Sequence, residues 1–406
     1  MTLVSDAIVV GGGPCGSFAS LNLARHSTNV TVLEEHSEIG IPSHCAGHLS
    51  IKGLKDLGLY PLPEGIVENV FVGANFYSPN GKSFTVRFPS PVTCAVNRIF
   101  FDKYLAKMAE TAGASYSLGL RVESLTIEDE CIKALATGQN GKKEFSAGLV
   151  MDAEGVSSRL LGQMSLTSLD RGMVVNGVEA EVEGVKETEE DVVDVFLGKN
   201  YAPGFYAWLI PEREGKTKVG LAAKHGDPRE FLHRLMAKHP VASRKLRTAR
   251  ISRMAFHPIT LGGMIPKVYS DRFLAVGDVA SQVKPTTGGG VILGLNCAKI
   301  AAEVANKALR ENDFSSRFLS VYQERCEKVL GFDFRVMLRM RHVLDALSDR
   351  KFDEAIALCS KLGLDKTLQG VGDIDFQGQS FLRVLRSPRT LASLAYFFYL
   401  YLSANP

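Results

Sequence analysis

The run Ala7-Ile8-Val9-Val10-Gly11-Gly12-Gly13-Pro14-Cys15-Gly16 decides how this chain begins to fold. Ala7–Val10 is short and apolar and stops at glycines, as a buried parallel strand does. Ser17–Arg25 follows with helix-forming residues, and Asn29–Leu33 is a second, β-branched strand ending in Glu34. The pieces make one strand–helix–strand unit. Within it Gly11, Gly13 and Gly16 fill a GxGxxG pattern, with Pro14 and Cys15 between the last two glycines. Gly11 makes the tight turn, Gly13 admits the backbone to a pyrophosphate, and Gly16 lets helix and strand approach closely. The helix start then turns unpaired N–H groups and a positive dipole end toward phosphate. Glu34 is the expected acceptor for ribose hydroxyls, and an acid there disfavours a 2′-phosphate. Together these residues predict a dinucleotide-binding domain.

Working outward, two further strands end in glycine-containing turns. Leu149–Asp152 runs into Ala153-Glu154-Gly155-Val156-Ser157-Ser158-Arg159. Phe273–Val276 runs into Gly277-Asp278, then Pro285-Thr286-Thr287-Gly288-Gly289-Gly290 and a helical stretch from Val291. Arg98–Ala112 is a predicted helix with apolar Ile99, Phe101, Leu105, Met108 and Ala109. The Gly277-Asp278 stretch resembles the GD motif of glutathione-reductase-type and hydroxylase-type flavoproteins. That resemblance implies FAD as cofactor, Asp278 on its ribityl chain and the Gly288–Gly290 loop facing its ring. A helix start beside that ring stabilises the anion formed on reduction. Asp152–Arg159 resembles the DG motif of the same superfamily, although Glu154 stands where Asp is usual, a departure that argues against nicotinamide contact there. Arg98 matches the arginine those families place near FAD. The resemblance adds Glu35, Val122 and Val291 to the cofactor contacts. The sequence carries no second GxGxxG for a nicotinamide, so the expected electron donor is a ferredoxin-like protein or transiently bound NAD(P)H.

Three local features narrow the resemblance: Pro42-Ser43-His44-Cys45-Ala46-Gly47; Tyr206-Ala207-Trp208-Leu209-Ile210-Pro211 with Val219-Gly220-Leu221 downstream; and Lys284–Gly290. With the flavin motifs they resemble the geranylgeranyl reductase family, in particular its archaeal members acting on digeranylgeranylglycerophospholipids. Ile210 stands where that family more usually has Phe. The resemblance implies saturation of isoprenoid C=C bonds in membrane-lipid chains, with a hydride from flavin N5 and a proton to the other carbon. It further implies that Cys45, Ala46 and Gly47 lie beside the flavin. On this reading Cys45, His44 and Tyr206 are the expected catalytic residues, and Tyr206, Trp208 and Pro211 the expected substrate contacts. Such a site must hold the alkene flat, exclude water and deliver a proton.

Between the nucleotide segments, Ile66–Val96 and about Met173–Leu261 alternate apolar and polar residues and predict an antiparallel sheet. The expected class is therefore α/β: a Rossmann-like FAD-binding domain (1–65, 97–172, 262–312), an inserted antiparallel-sheet substrate domain (66–96, 173–261) and a helical C-terminal region (313–406). A net charge of +3 gives no support to nucleic-acid binding. The seven cysteines are widely spaced without a CxxC pair, which argues against a zinc site or a disulfide framework and for a reducing compartment. The N-terminus lacks a signal peptide, and no run reaches the roughly 18–20 apolar residues that span a bilayer. The expected address is the cytoplasm, with the inner membrane face as a second station for a prenylated lipid substrate. Arg383, Arg386 and Arg389 precede an apolar run, Leu391–Leu402, that reads as an interfacial segment or as a core helix. Two other readings stay open: an FAD-dependent aromatic hydroxylase or monooxygenase, and a non-catalytic flavin-bearing lipid-binding protein.

Overall fold

A computed structural model describes residues 3–365, 369 and 373–384, and the apolar run 391–402 lies outside them. The chain divides into two compact units: 1–43, 98–172 and 260–334 form one, and 44–97, 173–259 and 335–406 the other.

The first unit is built on an eight-stranded sheet. Leu3–Val10 is its centre, parallel to Val30–Glu34 on one side and to Gly141–Asp152 on the other. Ser115–Leu118 and Phe273–Ala275 extend it in parallel. Parallel strands buried on both faces need near-continuous apolar runs, and Ala7, Ile8 and Val9 are fully buried. Helix Pro14–Ala24 packs against both Arg98–Ala112 and Val291–Glu311. An antiparallel extension, Arg121–Ile127 with Ile132–Gly138, leaves the sheet through Gly141–Asp152.

The second unit contains a seven-stranded sheet in the order Arg250–Thr260, Val174–Glu183, Lys216–Ala223, Ala207–Pro211, Val192–Phe196, Gly73–Tyr77, Ser83–Arg87. Val192–Phe196 pairs in parallel with Gly73–Tyr77, so this sheet is mixed, not wholly antiparallel as expected. These two strands are far apart in sequence, so no hairpin forces them antiparallel. One face buries Val178, Ala180, Phe196, Leu209, Val219 and Leu221 against Leu232 and Leu235 of helix Pro228–Lys238.

The expected domain limits shift in two places. The stretch from His44 to residue 65 belongs with the second unit, because His48–Ser50 pairs with Thr93–Val96, which also pairs with Val67–Phe71. The helical tail is not a body of its own. Helix Ser316–Ala346 counts with the first unit as far as Phe334, where its Tyr322 is fully buried, and with the second unit thereafter.

Candidate active site

In the first unit the geometry of the glycine turn follows from what a side chain would strike. Gly11 has φ +96°, and a Cβ there would lie 2.4 Å from the Ala153 carbonyl oxygen. At Gly16 it would lie 1.9 Å from the Gly11 carbonyl oxygen. Gly13, the N-cap of helix Pro14–Ala24, faces open space. That helix start has Pro14 in its first turn, no side-chain cap and no acid, so its amides are available to an anion. Glu34 is nearly buried and accepts the Gly12 N–H at 2.6 Å, while its other oxygen accepts from His36. Its carboxylate thus also braces the turn. Glu35 is exposed and pairs with Arg159 at 3.5 Å. Val122 is a buried core residue of Arg121–Ile127.

The GD turn adjoins this cradle. The Cys15 thiol lies where side chains on Gly277 or Gly294 would need to be, 2.9 and 2.5 Å from their added Cβ positions. Cys15 therefore contributes its side chain to packing, and burial pushes its thiol pKa up. Asp278 follows in a short 3-10 turn, and its carboxylate has no hydrogen-bond partner among the described residues. Burial raises its pKa, and the Arg98 guanidinium opposes that rise. Arg98 itself forks onto Asp102 with two bonds of 2.9 Å. A chain behind the turn fixes it: Gln282 accepts the Gly277 N–H at 2.7 Å and donates to the Tyr322 hydroxyl, which donates to the Ala275 carbonyl. Gly288 has φ +70° and, with Gly289 and Gly290, leads into Val291–Glu311, another helix start with no side-chain cap or first-turn acid. A cradle that a Cβ on Gly11 or Gly16 would obstruct, two open helix starts and one unpaired carboxylate suit a dinucleotide carrying diphosphate, polyol and an electron-accepting ring.

In the second unit, Gly47 has φ +69° and its carbonyl accepts the Val96 N–H at 2.9 Å, which pins the Cys45–Gly47 loop to the small sheet. Cys45 is half-buried. His44 stacks on His257 with ring centroids 3.8 Å apart, a partner the sequence did not reveal. Tyr206 stacks on Phe205 at 4.4 Å and meets Trp208 edge-on at 5.9 Å. Burial raises the Tyr206 hydroxyl pKa, and the nearby Arg341 cation lowers it. The Trp208 indole lies over Gly220, where a Cβ would be 2.4 Å from it, which is why glycine stands in that strand. Pro211 is buried at the strand end and its carbonyl accepts from Asn69 at 3.1 Å.

Glu179, Lys218 and Glu212 carry a signal only the fold exposes. Trp208 Nε1–H donates to Glu179 at 3.3 Å, and Lys218 reaches Glu212 at 2.9 Å and the Ala46 carbonyl at 3.4 Å. Burial pushes the Glu179 carboxyl up to about 7, against the pull of Lys218 and the Trp208 hydrogen bond.

Residues 4–330 match the family described as FAD binding domain. The chain is 34% identical to digeranylgeranylglycerophospholipid reductase 2 of Methanopyrus kandleri over 355 residues, covering 86% of this chain and 88% of that one. The chain belongs to the digeranylgeranylglycerophospholipid reductase family. Another reductase of that name, from Methanothermobacter thermautotrophicus, is 31% identical and covers 94% of this chain and 96% of its own. The fold of this reductase-family chain is similar to a geranylgeranyl bacteriochlorophyll reductase-like protein of Thermoplasma acidophilum, with TM-score 0.84, 24% identity, and coverage of 89% and 92%. It is also similar to a flavin-dependent brominase, with TM-score 0.70, 17% identity, and coverage of 83% and 87%.

Proposed function

We propose that this chain reduces isoprenoid C=C bonds in the geranylgeranyl chains of a membrane-lipid precursor with FAD as its cofactor. The observation that carries this is the run of reductases matching nearly the whole chain, at 34% and 31% identity. Bound and reduced, FAD supplies the hydride. The glycine turn and the helix start at Pro14 hold its diphosphate, Asp278 its ribityl hydroxyls, and the Val291 helix start the negative side of its ring. Cys45 and Tyr206 act at the alkene, with His44 as a proton source, and Trp208 and Pro211 contact the prenyl chain. Electrons arrive from a ferredoxin-like protein or NAD(P)H, and the protein works at the cytoplasmic membrane face. Among the described residues no helix is long and apolar enough to cross a membrane.

The test is anaerobic. The purified protein is reduced chemically, mixed with a geranylgeranylated glycerophospholipid in vesicles, and the lipid mass is followed. Gain in steps of two hydrogens is expected, and an unchanged lipid overturns the proposal. Cys45→Ser is expected to change turnover while FAD content stays near normal. Loss of FAD in that variant would assign the loop to structure.

A further inference from the structure

The seven-stranded sheet carries a buried group of charges on the face that bears Trp208. Glu179 is 9% exposed and Lys218 6%. Glu179 lies opposite Gly220, which lies opposite Trp208, so the three form one row across adjacent strands. Glu181, in the next row, lies opposite Lys218. Trp208 and Ala46 pack into one apolar cluster with Phe71, Ala95, Val193 and Ile210.

The groups that bear on Glu179 are Lys218, the Trp208 indole N–H, Glu212 and Glu181. Glu181 is itself faced by Arg253 at 3.7 Å. From the adjoining loop and small sheet, Cys45 acts on Lys218 and Glu68 on Glu212. One buried lysine thus serves two carboxylates, the buried Glu179 and the part-buried Glu212. It can neutralise only one, and a second uncompensated anion in such surroundings is strongly disfavoured. Glu212 holds the direct contact with Lys218, so Glu179 is the carboxyl that keeps its proton.

We propose that Glu179 is a positioning residue of the lipid site, whose proton keeps Trp208 and the Cys45–Ala46 loop as an uncharged wall for a polyprenyl chain. This rests on the reading of Trp208 and that loop as lipid contacts. Loss of the proton leaves the group with one excess negative charge, draws Lys218 from the Ala46 carbonyl and sets an anion behind the indole. An apolar chain then binds less well.

Trp208 is the sole tryptophan of the sequence, so the emission of the FAD-loaded protein reports on the indole that Glu179 holds. In wild type the emission changes through an ionisation near pH 7, set by Glu179. Glu179→Gln abolishes that change. Lys218→Met moves it to higher pH, since the lysine charge holds it down. With the geranylgeranylated phospholipid, KM in wild type rises about threefold across this ionisation while kcat is little changed, and Glu179→Gln shows a pH-independent KM. Emission or KM that titrates alike in wild type and Glu179→Gln overturns the proposal, as does a Glu179→Gln variant that only melts at lower temperature. Lipid left unchanged by wild type overturns the reductase reading and the lipid role of Glu179 with it. In that event the emission titration still separates the two failures.

Discussion

Asp278 is held in its turn with no described residue hydrogen-bonding its carboxylate. A part-buried carboxylate without a protein hydrogen-bond partner can accept from a ligand's hydroxyl groups. Replacing Asp278 by Ala is therefore expected to weaken FAD binding by roughly 10–100-fold, the loss of about 1.5–3 kcal/mol of charge-assisted hydrogen bonding. Equilibrium dialysis against FAD checks this, and unchanged affinity would remove Asp278 from the cofactor site. Glu179 carries a stability consequence of its own. The unfolded chain releases this proton near 4.5 and the folded protein near 7. Its contribution is thus full below pH 4.5 and is lost as pH rises to about 7. The fall amounts to at most roughly 3 kcal/mol. Urea unfolding at several pH values should show a shallower decline in Glu179→Gln than in wild type, and parallel curves would refute the assignment.

At the scale of elements, the glycine turn and its helix act as one part. A methyl group on Gly16 would sit 1.9 Å from the Gly11 carbonyl oxygen, so Gly16→Ala pushes helix Pro14–Ala24 off the strand Leu3–Val10. The expected result is a loss of roughly 1–3 kcal/mol of stability and more than about tenfold weaker FAD binding. Both are read from flavin absorbance and thermal melting. A variant that keeps its flavin colour would show that the turn tolerates displacement. This element was legible in the sequence because every part of it is local: strand, turn, helix and Glu34 lie within residues 7–34. The GD turn was legible for the same reason. Its bracing through Gln282 and Tyr322 was not, since those residues lie 40 positions apart.

For the whole molecule, removing FAD tests whether the cofactor is part of the fold's stability. A ligand that binds only the folded state stabilises it by about 2.7 kcal/mol at a hundredfold excess over its Kd. Apoprotein is expected to melt earlier and recover on adding FAD, whereas NADP should not restore it. Equal melting of both forms would mean that the cradle forms no tight complex.

The sequence by itself determined the nucleotide-binding half and the family. Glycine turns, strand-terminal acids and helix starts express their chemistry through neighbours a few residues away, and such patterns survive as readable strings. The tertiary structure alone decided the rest. It placed residues 44–65 with the sheet unit and made that sheet mixed. It set His257 on His44, and it gathered Glu179, Trp208 and Lys218 from three strands into one buried group. Those contacts depend on strand register and on which face is covered. Register is fixed by pairing between distant segments, so no local pattern in the chain announces it.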